Sequence, residues 1–164
     1  LDREKNVISL LEIFKEANIP SDWKLQIIGD GNEKNNLEKF VEENQLKNRV
    51  IFHGTKNSNE ILQLLRKSKI FGFTSLKEAF GNVLVEAIFC GNVVISYDCN
   101  YGPSDIINEN IGFLINLNNQ QAFKTALEKL INDKNLMNKM AQDSISYSQE
   151  WKKEEILKKW NNII

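Results

Sequence analysis

The chain has 164 residues, 41% of them apolar and 26% charged, which is the composition of one soluble globular domain with its own core. Its 21 basic and 22 acidic residues leave a net charge of −1, so neither a nucleic-acid-binding surface nor a polybasic membrane patch is expected. No run of apolar residues is long enough to span a membrane, and the two cysteines, Cys90 and Cys99, indicate free thiols in a reduced, cytosolic setting.

Helical and strand-like patterns alternate along the chain, which begins at Leu1 rather than at a methionine and which we expect to be a piece of a longer protein. Apolar residues at helical spacing predict helices, and short runs rich in Ile, Val and Phe predict strands. In chain order the segments are a helix at 7–17, a strand at 23–31, a helix at 37–41, a strand at 49–54, a helix at 59–68, a strand at 69–75, a helix after Gly81, and strands at 92–98 and 112–117. The rest, from Gln120 onwards, is predicted to be helical, with a break at residues 132–133 and a cap at Ser148.

Strands that alternate with helices of this length predict an α/β fold of the Rossmann-like kind, with a parallel sheet covered by helices on both faces. Ligands of such sheets bind beyond the carboxyl ends of the strands. Three stretches are predicted to lie there, namely residues 29–31 (GDG), 74–82 (TSLKEAFGN) and 97–105 (YDCNYGPSD). The last of these contains a predicted helix start, with Ser104 as its N-cap.

The stretch KEAFGNVLVEA, residues 77–87, places Glu78 and Glu86 eight positions apart. Glu86 lies in an apolar run that is predicted to be buried, and a buried carboxylate is costly unless it is paired or hydrogen-bonded. From the residues alone, a structural partner and a ligand are equally good explanations. The position of Glu86, five residues beyond Gly81, favours a ligand with a vicinal diol, such as a ribose. The backbone amides of the first helical turn would then face phosphate oxygens.

The remaining polar candidates are weaker when each is taken alone. Glu78 precedes the helix and could contact a sugar hydroxyl, although an exposed loop acid is the simpler interpretation. Gly29 belongs to a turn that lacks the further glycines of a dinucleotide fingerprint and the Gly-Lys-Ser/Thr of a P-loop. His53 is the only histidine, and it has no Cys, Asp or Glu at a spacing typical of metal ligands. No metal site is therefore expected.

Taken together, these stretches resemble the carboxy-terminal domain of glycosyltransferase family 4, the retaining enzymes of the GT-B type. EAFGNVLVEA is similar to the E-x7-E motif of that family, and LDREKN, WKLQIIGDG, RVIFHG and SYDCNYGPSDII follow in the family's order. The residues of these motifs most resemble those of bacterial members that use UDP-sugars to build surface polysaccharides and lipopolysaccharide cores. Ala79 and Val93 depart from the pattern, since glycine and proline are commoner at those places.

The resemblance implies a role for each matching residue. Glu86 would bind the ribose, Glu78 would contact the donor sugar, and Lys5 would neutralise the leaving diphosphate, so that Glu78 and Lys5 would be the catalytic residues. The other residues implied in binding the nucleotide sugar, largely through their backbone, are Gly29, His53, Gly54, Phe80, Gly81, Asn82 and Val83. The donor would be a UDP-sugar, with no metal and no further cofactor.

The resemblance also implies what surrounds this chain. Residues 1–164 would form a single donor-binding domain, and the acceptor-binding domain would be a separate amino-terminal one that this chain lacks. The full-length enzyme would transfer a sugar to a glycan or lipid-linked acceptor in the cytoplasm, at the inner face of the membrane, whereas the isolated domain would be inactive. An apolar stripe of Ile156, Trp160 and Ile163 would either cross to that other domain or pack on its own sheet.

Two other functions compete with this one. A nicotinamide-dependent oxidoreductase would need a GxGxxG fingerprint and an acidic residue about 20 positions later, and the sequence has neither. A non-catalytic nucleotide-binding module of the same fold remains the alternative, because a fold does not dictate an activity. The presence of both glutamates favours the enzyme.

Overall fold

Helices and strands alternate along residues 1–149, the part of the chain that the computed structural model describes. The helices are α1 (Val7–Glu16), α2 (Lys34–Glu43), α3 (Ser58–Lys67), α4 (Asn82–Phe89), α5 (Pro103–Ile106), α6 (Gln120–Asn132) and α7 (Lys134–Ser148). The strands are β1 (Leu25–Ile27), β2 (Val50–Phe52), β3 (Ile70–Phe73), β4 (Val93–Asp98) and β5 (Gly112–Asn116). A 3-10 turn, Arg3–Lys5, precedes α1. The predicted stripe of Ile156, Trp160 and Ile163 lies outside the described residues.

All strand pairs between these elements are parallel, so the predicted α/β class is confirmed. The hydrogen bonds divide the strands into two sheets, β1-β2 and β3-β4-β5, where the sequence predicts one. The two sheets are linked by a side-chain hydrogen bond, from Gln26 Nε2 in β1 to Ser68 Oγ just before β3, at 3.4 Å. They also share a core, since Ile27 of β1 and Ile95 of β4 belong to the same apolar cluster.

Strand β4 is the centre of the fold, because it packs on both of its faces. Val93, Ile95 and Tyr97 are fully buried in a core that α1, α2, α6 and α7 cover. Val94 points to the opposite face, where it packs with residues of α3, α4 and α5. This alternation follows from the two-residue period of a strand, and it confirms that helices cover both faces.

Tyr97 ties three elements together in the larger core. Its hydroxyl lies 2.9 Å from Ser9 Oγ of α1, and its ring meets Phe123 of α6 edge to face at 5.4 Å between ring centroids. Burial raises the pKa of the Tyr97 phenol. A buried tyrosine of this kind combines apolar packing with one satisfied polar group, which fixes α1 against β4.

The helix ends show one correction. The break between α6 and α7 falls at Asp133 as predicted, and the Asp133 carboxylate caps α7 by accepting from Leu136 N at 2.9 Å. Ser104, by contrast, is not an N-cap: α5 begins at Pro103, and Gly102 is the capping residue. The reason is that proline suits the first helical position, where an N–H group would have no partner. Within residues 1–149 no helix is long and apolar enough to cross a bilayer.

Candidate functional site

Because the strands are parallel, the loops that follow β1, β3 and β4 leave the sheets at their carboxyl ends. Backbone contacts join the loop after β3 to the loop after β4. Lys77 and Asn100 form an isolated parallel bridge, and Gly102 lies so close to the carbonyl of Phe80 that a side chain could not fit between them. Two of the three predicted loop stretches are therefore in direct contact.

The amino-terminal segment connects this pair of loops to the loop after β1. The backbone nitrogen of Glu33 donates to the Leu1 carbonyl at 3.0 Å. Further along, Leu76 N donates to the Glu4 carbonyl at 2.8 Å. Thr74 Oγ1 donates to the carbonyl of Lys5, at 3.2 Å. These bonds hold the 3-10 turn between two loops, which sets the position of the Lys5 side chain.

Lys5 and Glu78 form an ion pair. The Glu78 side chain is only 14% exposed, and its Oε1 also accepts a hydrogen bond from Ser75 Oγ at 3.0 Å. Glu78 is therefore a shielded, paired carboxylate and not the exposed loop acid that its local sequence suggests. The pKa of the Cys99 thiol is raised, firstly by burial of the thiol and secondly by the nearby negative charge of Glu78.

The first turn of α4 has open backbone donors. Gly81 is the N-cap in the left-handed region, with φ of 82°, a conformation that glycine adopts without strain. The first backbone bond here runs from Leu84 N to the Gly81 carbonyl at 2.8 Å. Within residues 1–149, the amides of Gly81, Asn82 and Val83 donate no hydrogen bond. These three N–H groups are therefore available to an anion.

Glu86 lies one turn further along α4, and here the prediction of burial is wrong. The residue is partly exposed, because the buried side of α4 is formed by Leu84, Ala87 and Ile88. Within the described part of the chain the Glu86 carboxylate forms neither a hydrogen bond nor an ion pair. It is thus a half-buried acid whose oxygens have no protein partner there.

The loops after β1 and β2 contact each other through Gly29 and Gly54. Gly29 N donates to the Gly54 carbonyl at 2.8 Å, so the amide of Gly29 is not available to a phosphate. Its contribution is the shape of the turn, at φ of 122°. The ring of His53 is held by Gln26, with 3.0 Å between Nε2 and Oε1, and this agrees with a structural histidine.

Two residues at this edge of the sheets were missed by the sequence interpretation. Ser75, which holds Glu78, could have been found from its place three positions before that acid. Tyr101 has a positive φ of 67° and is 72% exposed. The sequence feature that could have identified Tyr101 is an aromatic residue directly before a Gly-Pro turn.

Two surface hollows, of about 590 and 480 Å³, lie away from the loops that carry Lys5, Glu78 and Gly81. Residues between Asn108 and Tyr147 line the first hollow, and residues between Asn35 and Phe52 line the second. Among residues 1–149 no three His, Cys, Asp or Glu side chains are grouped so that they could hold a metal ion. The polar groups at the edge include Lys5, Glu78, Glu86 and the three open amides of α4, which suit a ligand that carries both phosphates and hydroxyl groups.

Comparisons with known proteins agree with this description. Residues 1–147 match the family model of the glycosyl transferases group 1. The amylovoran biosynthesis glycosyltransferase AmsD of Erwinia amylovora is 32% identical over 164 residues, which are all of this chain and 46% of AmsD. The chain therefore spans about half the length of that relative.

Solved structures of two further proteins share the fold. The C-terminal domain of a glycosyl transferase group 1 family protein, LpcC from Francisella tularensis, superposes with a TM-score of 0.85 at 27% identity, over 93% of this chain and 83% of that one. A point mutant of S. aureus TarM, solved with fondaparinux, alpha-GlcNAc-glycerol and UDP, gives 0.84 at 26% identity, over 97% of this chain and 32% of that one. The chain thus belongs to the glycosyl transferases group 1 and has the α/β fold of the carboxy-terminal domain of GT-B glycosyltransferases.

Proposed function

We propose that residues 1–164 are the donor-binding domain of a retaining glycosyltransferase of family 4. The full-length enzyme transfers a sugar from a UDP-sugar to a glycan or lipid-linked acceptor in bacterial surface polysaccharide or lipopolysaccharide synthesis. It works in the cytoplasm, at the inner face of the membrane. The acceptor site belongs to an amino-terminal domain. Support comes from the family, from the E-x7-E spacing of Glu78 and Glu86, and from the UDP in the TarM complex.

The observation that carries the proposal is the surroundings of Glu86. A half-buried carboxylate without a protein partner in the described residues has already lost part of its hydration, and it gains from a ligand that donates hydrogen bonds. A ribose offers two adjacent hydroxyl donors. The open amides of Gly81, Asn82 and Val83 lie about one turn earlier on the same helix, roughly 5 Å along its axis, so that the ribose and the diphosphate of one nucleotide could contact both.

Lys5 supplies the charge for the leaving group. A diphosphate gains negative charge as the bond to the sugar breaks, and fixed donors that face this charge stabilise the transition state. Lys5 and the α4 amides are such donors, so the proposal needs no metal ion. Because Lys5 is paired with Glu78 in this structure, the diphosphate would compete with Glu78 for the lysine, and Glu78 would then be free to contact the donor sugar.

Titration calorimetry with UDP, GDP, ADP and NAD tests this proposal, with EDTA present throughout. We expect UDP to bind more tightly than the other three nucleotides and to keep its affinity in EDTA, since Lys5 and the amides replace a cation. Tighter binding of NAD would favour an oxidoreductase, and a strict requirement for Mg²⁺ or Mn²⁺ would contradict the metal-free account. UDP binding without turnover in the full-length protein would favour the non-catalytic module.

A further inference from the structure

Tyr101 has an unfavourable backbone conformation and a largely exposed side chain. Its φ of 67° lies in the left-handed region, where bulky residues are outliers. The other non-glycine residues with positive φ among residues 1–149 are asparagines and a glutamine, namely Asn6, Gln45 and Asn118. The Tyr101 ring is 72% exposed and contacts no other aromatic ring or charged group of the described residues. Packing therefore does not explain why a large aromatic residue occupies this position.

Both neighbours of Tyr101 are fixed to the loop that carries Glu78. Asn100 forms a bridge with Lys77, and Gly102 lies against the backbone of Phe80. Tyr101 is consequently held alongside the short segment between Lys77 and Phe80, which contains Glu78. Strain of this kind persists when the surroundings determine it, and it is concentrated at functional sites.

An exposed aromatic ring beside a carboxylate is suited to a sugar. A pyranose has a rim of hydroxyl groups and a face of C–H groups. A carboxylate accepts hydrogen bonds from the rim, and an aromatic ring, with its negatively polarised face, packs on the C–H groups. Glu78 and Tyr101 directly follow Lys77 and Asn100, the two residues that form the backbone bridge between the loops, so that one sugar could contact both side chains.

We propose that Tyr101 contacts the transferred sugar of the donor with its ring and thereby contributes to the choice of that sugar. This inference rests on the proposed function, because it assumes that the nucleotide binds at α4 and that its sugar lies at Glu78. The ring contacts the sugar alone, so its removal leaves the nucleotide contacts unchanged.

The test uses Tyr101→Gly and Tyr101→Phe in the full-length protein, with binding of UDP, UDP-glucose, UDP-galactose and UDP-N-acetylglucosamine measured by calorimetry. The UDP-sugar that the parent binds most tightly should lose about three- to tenfold in affinity in the Gly variant, while UDP itself binds as before. The Phe variant keeps the ring and should bind both as the parent does. Asn118→Gly is the matched control, since it also removes a positive-φ side chain, and it should change neither affinity.

Stability measurements separate this role from a structural one. Glycine adopts a positive φ freely, so Tyr101→Gly should raise the urea midpoint of unfolding, as Asn118→Gly should. A lower midpoint, equal loss of UDP and UDP-sugar affinity, or an unchanged UDP-sugar affinity would each overturn the inference, and a fall in turnover with unchanged donor affinity would point to the acceptor instead. Failure of the parent to bind UDP would overturn the proposed function itself.

Discussion

At the scale of single residues, Glu86 and Glu78 occupy different surroundings although they belong to one motif. Glu78 is shielded and already satisfied by Lys5 and Ser75. Glu86 is partly exposed, and its carboxylate has no hydrogen-bonding partner within residues 1–149. Under the proposed function, Glu78 would therefore exchange a partner when the ligand binds, and Glu86 would acquire one. Substitution of each should thus have a different effect on binding.

Glu86→Ala should weaken the binding of UDP itself, because the ribose is part of the nucleotide. A hydrogen bond to a charged group contributes roughly 1.5–3 kcal/mol, so the loss should be about one to two decades in affinity, measured by calorimetry. Glu38→Ala is the control, since Glu38 is an exposed helical acid on α2, away from the α4 amides. Unchanged UDP binding by the Glu86 variant would refute the ribose assignment.

Glu78→Ala should leave UDP affinity within about threefold of the parent, because the variant removes only a competitor of the phosphates for Lys5 and no contact to the nucleotide. Turnover of the UDP-sugar by the full-length enzyme should fall, since the sugar loses its carboxylate contact. The two readouts are UDP calorimetry and a transfer assay. A large loss of UDP affinity would show that Glu78 acts on the nucleotide instead.

At the scale of elements, the edge of the sheets depends on contacts between loops more than on any single strand. The loop after β4 touches the loop after β3 at two points, Lys77–Asn100 and Phe80–Gly102. The second contact requires glycine for two reasons. Gly102 has φ of 103°, and a Cβ atom at this position would collide with the Phe80 carbonyl. The two loops can therefore approach only with glycine at position 102.

Gly102→Ala should lower the free energy of unfolding more than Gly54→Ala does. Gly54 also has a positive φ, of 66°, but its Cβ would meet no atom within 4 Å, so its substitution costs only the conformational strain of about 1–2 kcal/mol. Gly102→Ala adds a collision between backbone atoms, and its loss should be about twice as large or more. Urea denaturation of both variants measures the difference. Equal losses would mean that the loops separate at little cost.

At the scale of the whole molecule, the groups proposed to bind the donor all belong to the loops at the carboxyl ends of the strands, to α4 and to the 3-10 turn before α1. Transfer of a sugar needs an acceptor that is held close to the donor and a reaction site that is protected from water. Positioning of that kind accounts for about 7–11 kcal/mol of the barrier in favourable cases. Under the proposed function, that positioning would come from the separate acceptor-binding domain.

We expect the isolated 164-residue chain to bind UDP weakly but to transfer no sugar. Its own groups can hold the nucleotide, whereas the proposed acceptor site belongs to another domain. The measurement is release of UDP from UDP-glucose, UDP-galactose and UDP-N-acetylglucosamine with and without acceptor, beside the full-length protein as positive control. Acceptor-dependent release by the isolated chain would contradict a division of donor and acceptor between domains.

The order of helices and strands, their parallel arrangement and the loops at the carboxyl ends could all be predicted from the sequence. Apolar periodicity records which side of each element is buried, and this is a local property. The resemblance to the family rests equally on local stretches such as the one from Glu78 to Glu86. Burial of Glu86 was the exception, because an apolar run cannot tell which side of α4 faces the core.

What only the tertiary structure decided are contacts between groups that are distant along the chain. Lys5 and Glu78 are 73 positions apart, and nothing in their own neighbourhoods predicts that they pair. The same holds for the amide of Gly29, which donates to the Gly54 carbonyl. It also holds for Tyr101, whose backbone strain comes from the contacts that fix the residues on either side of it. Such contacts depend on which strand ends lie next to each other in the sheets, and that follows from packing of the whole chain rather than from any segment of it.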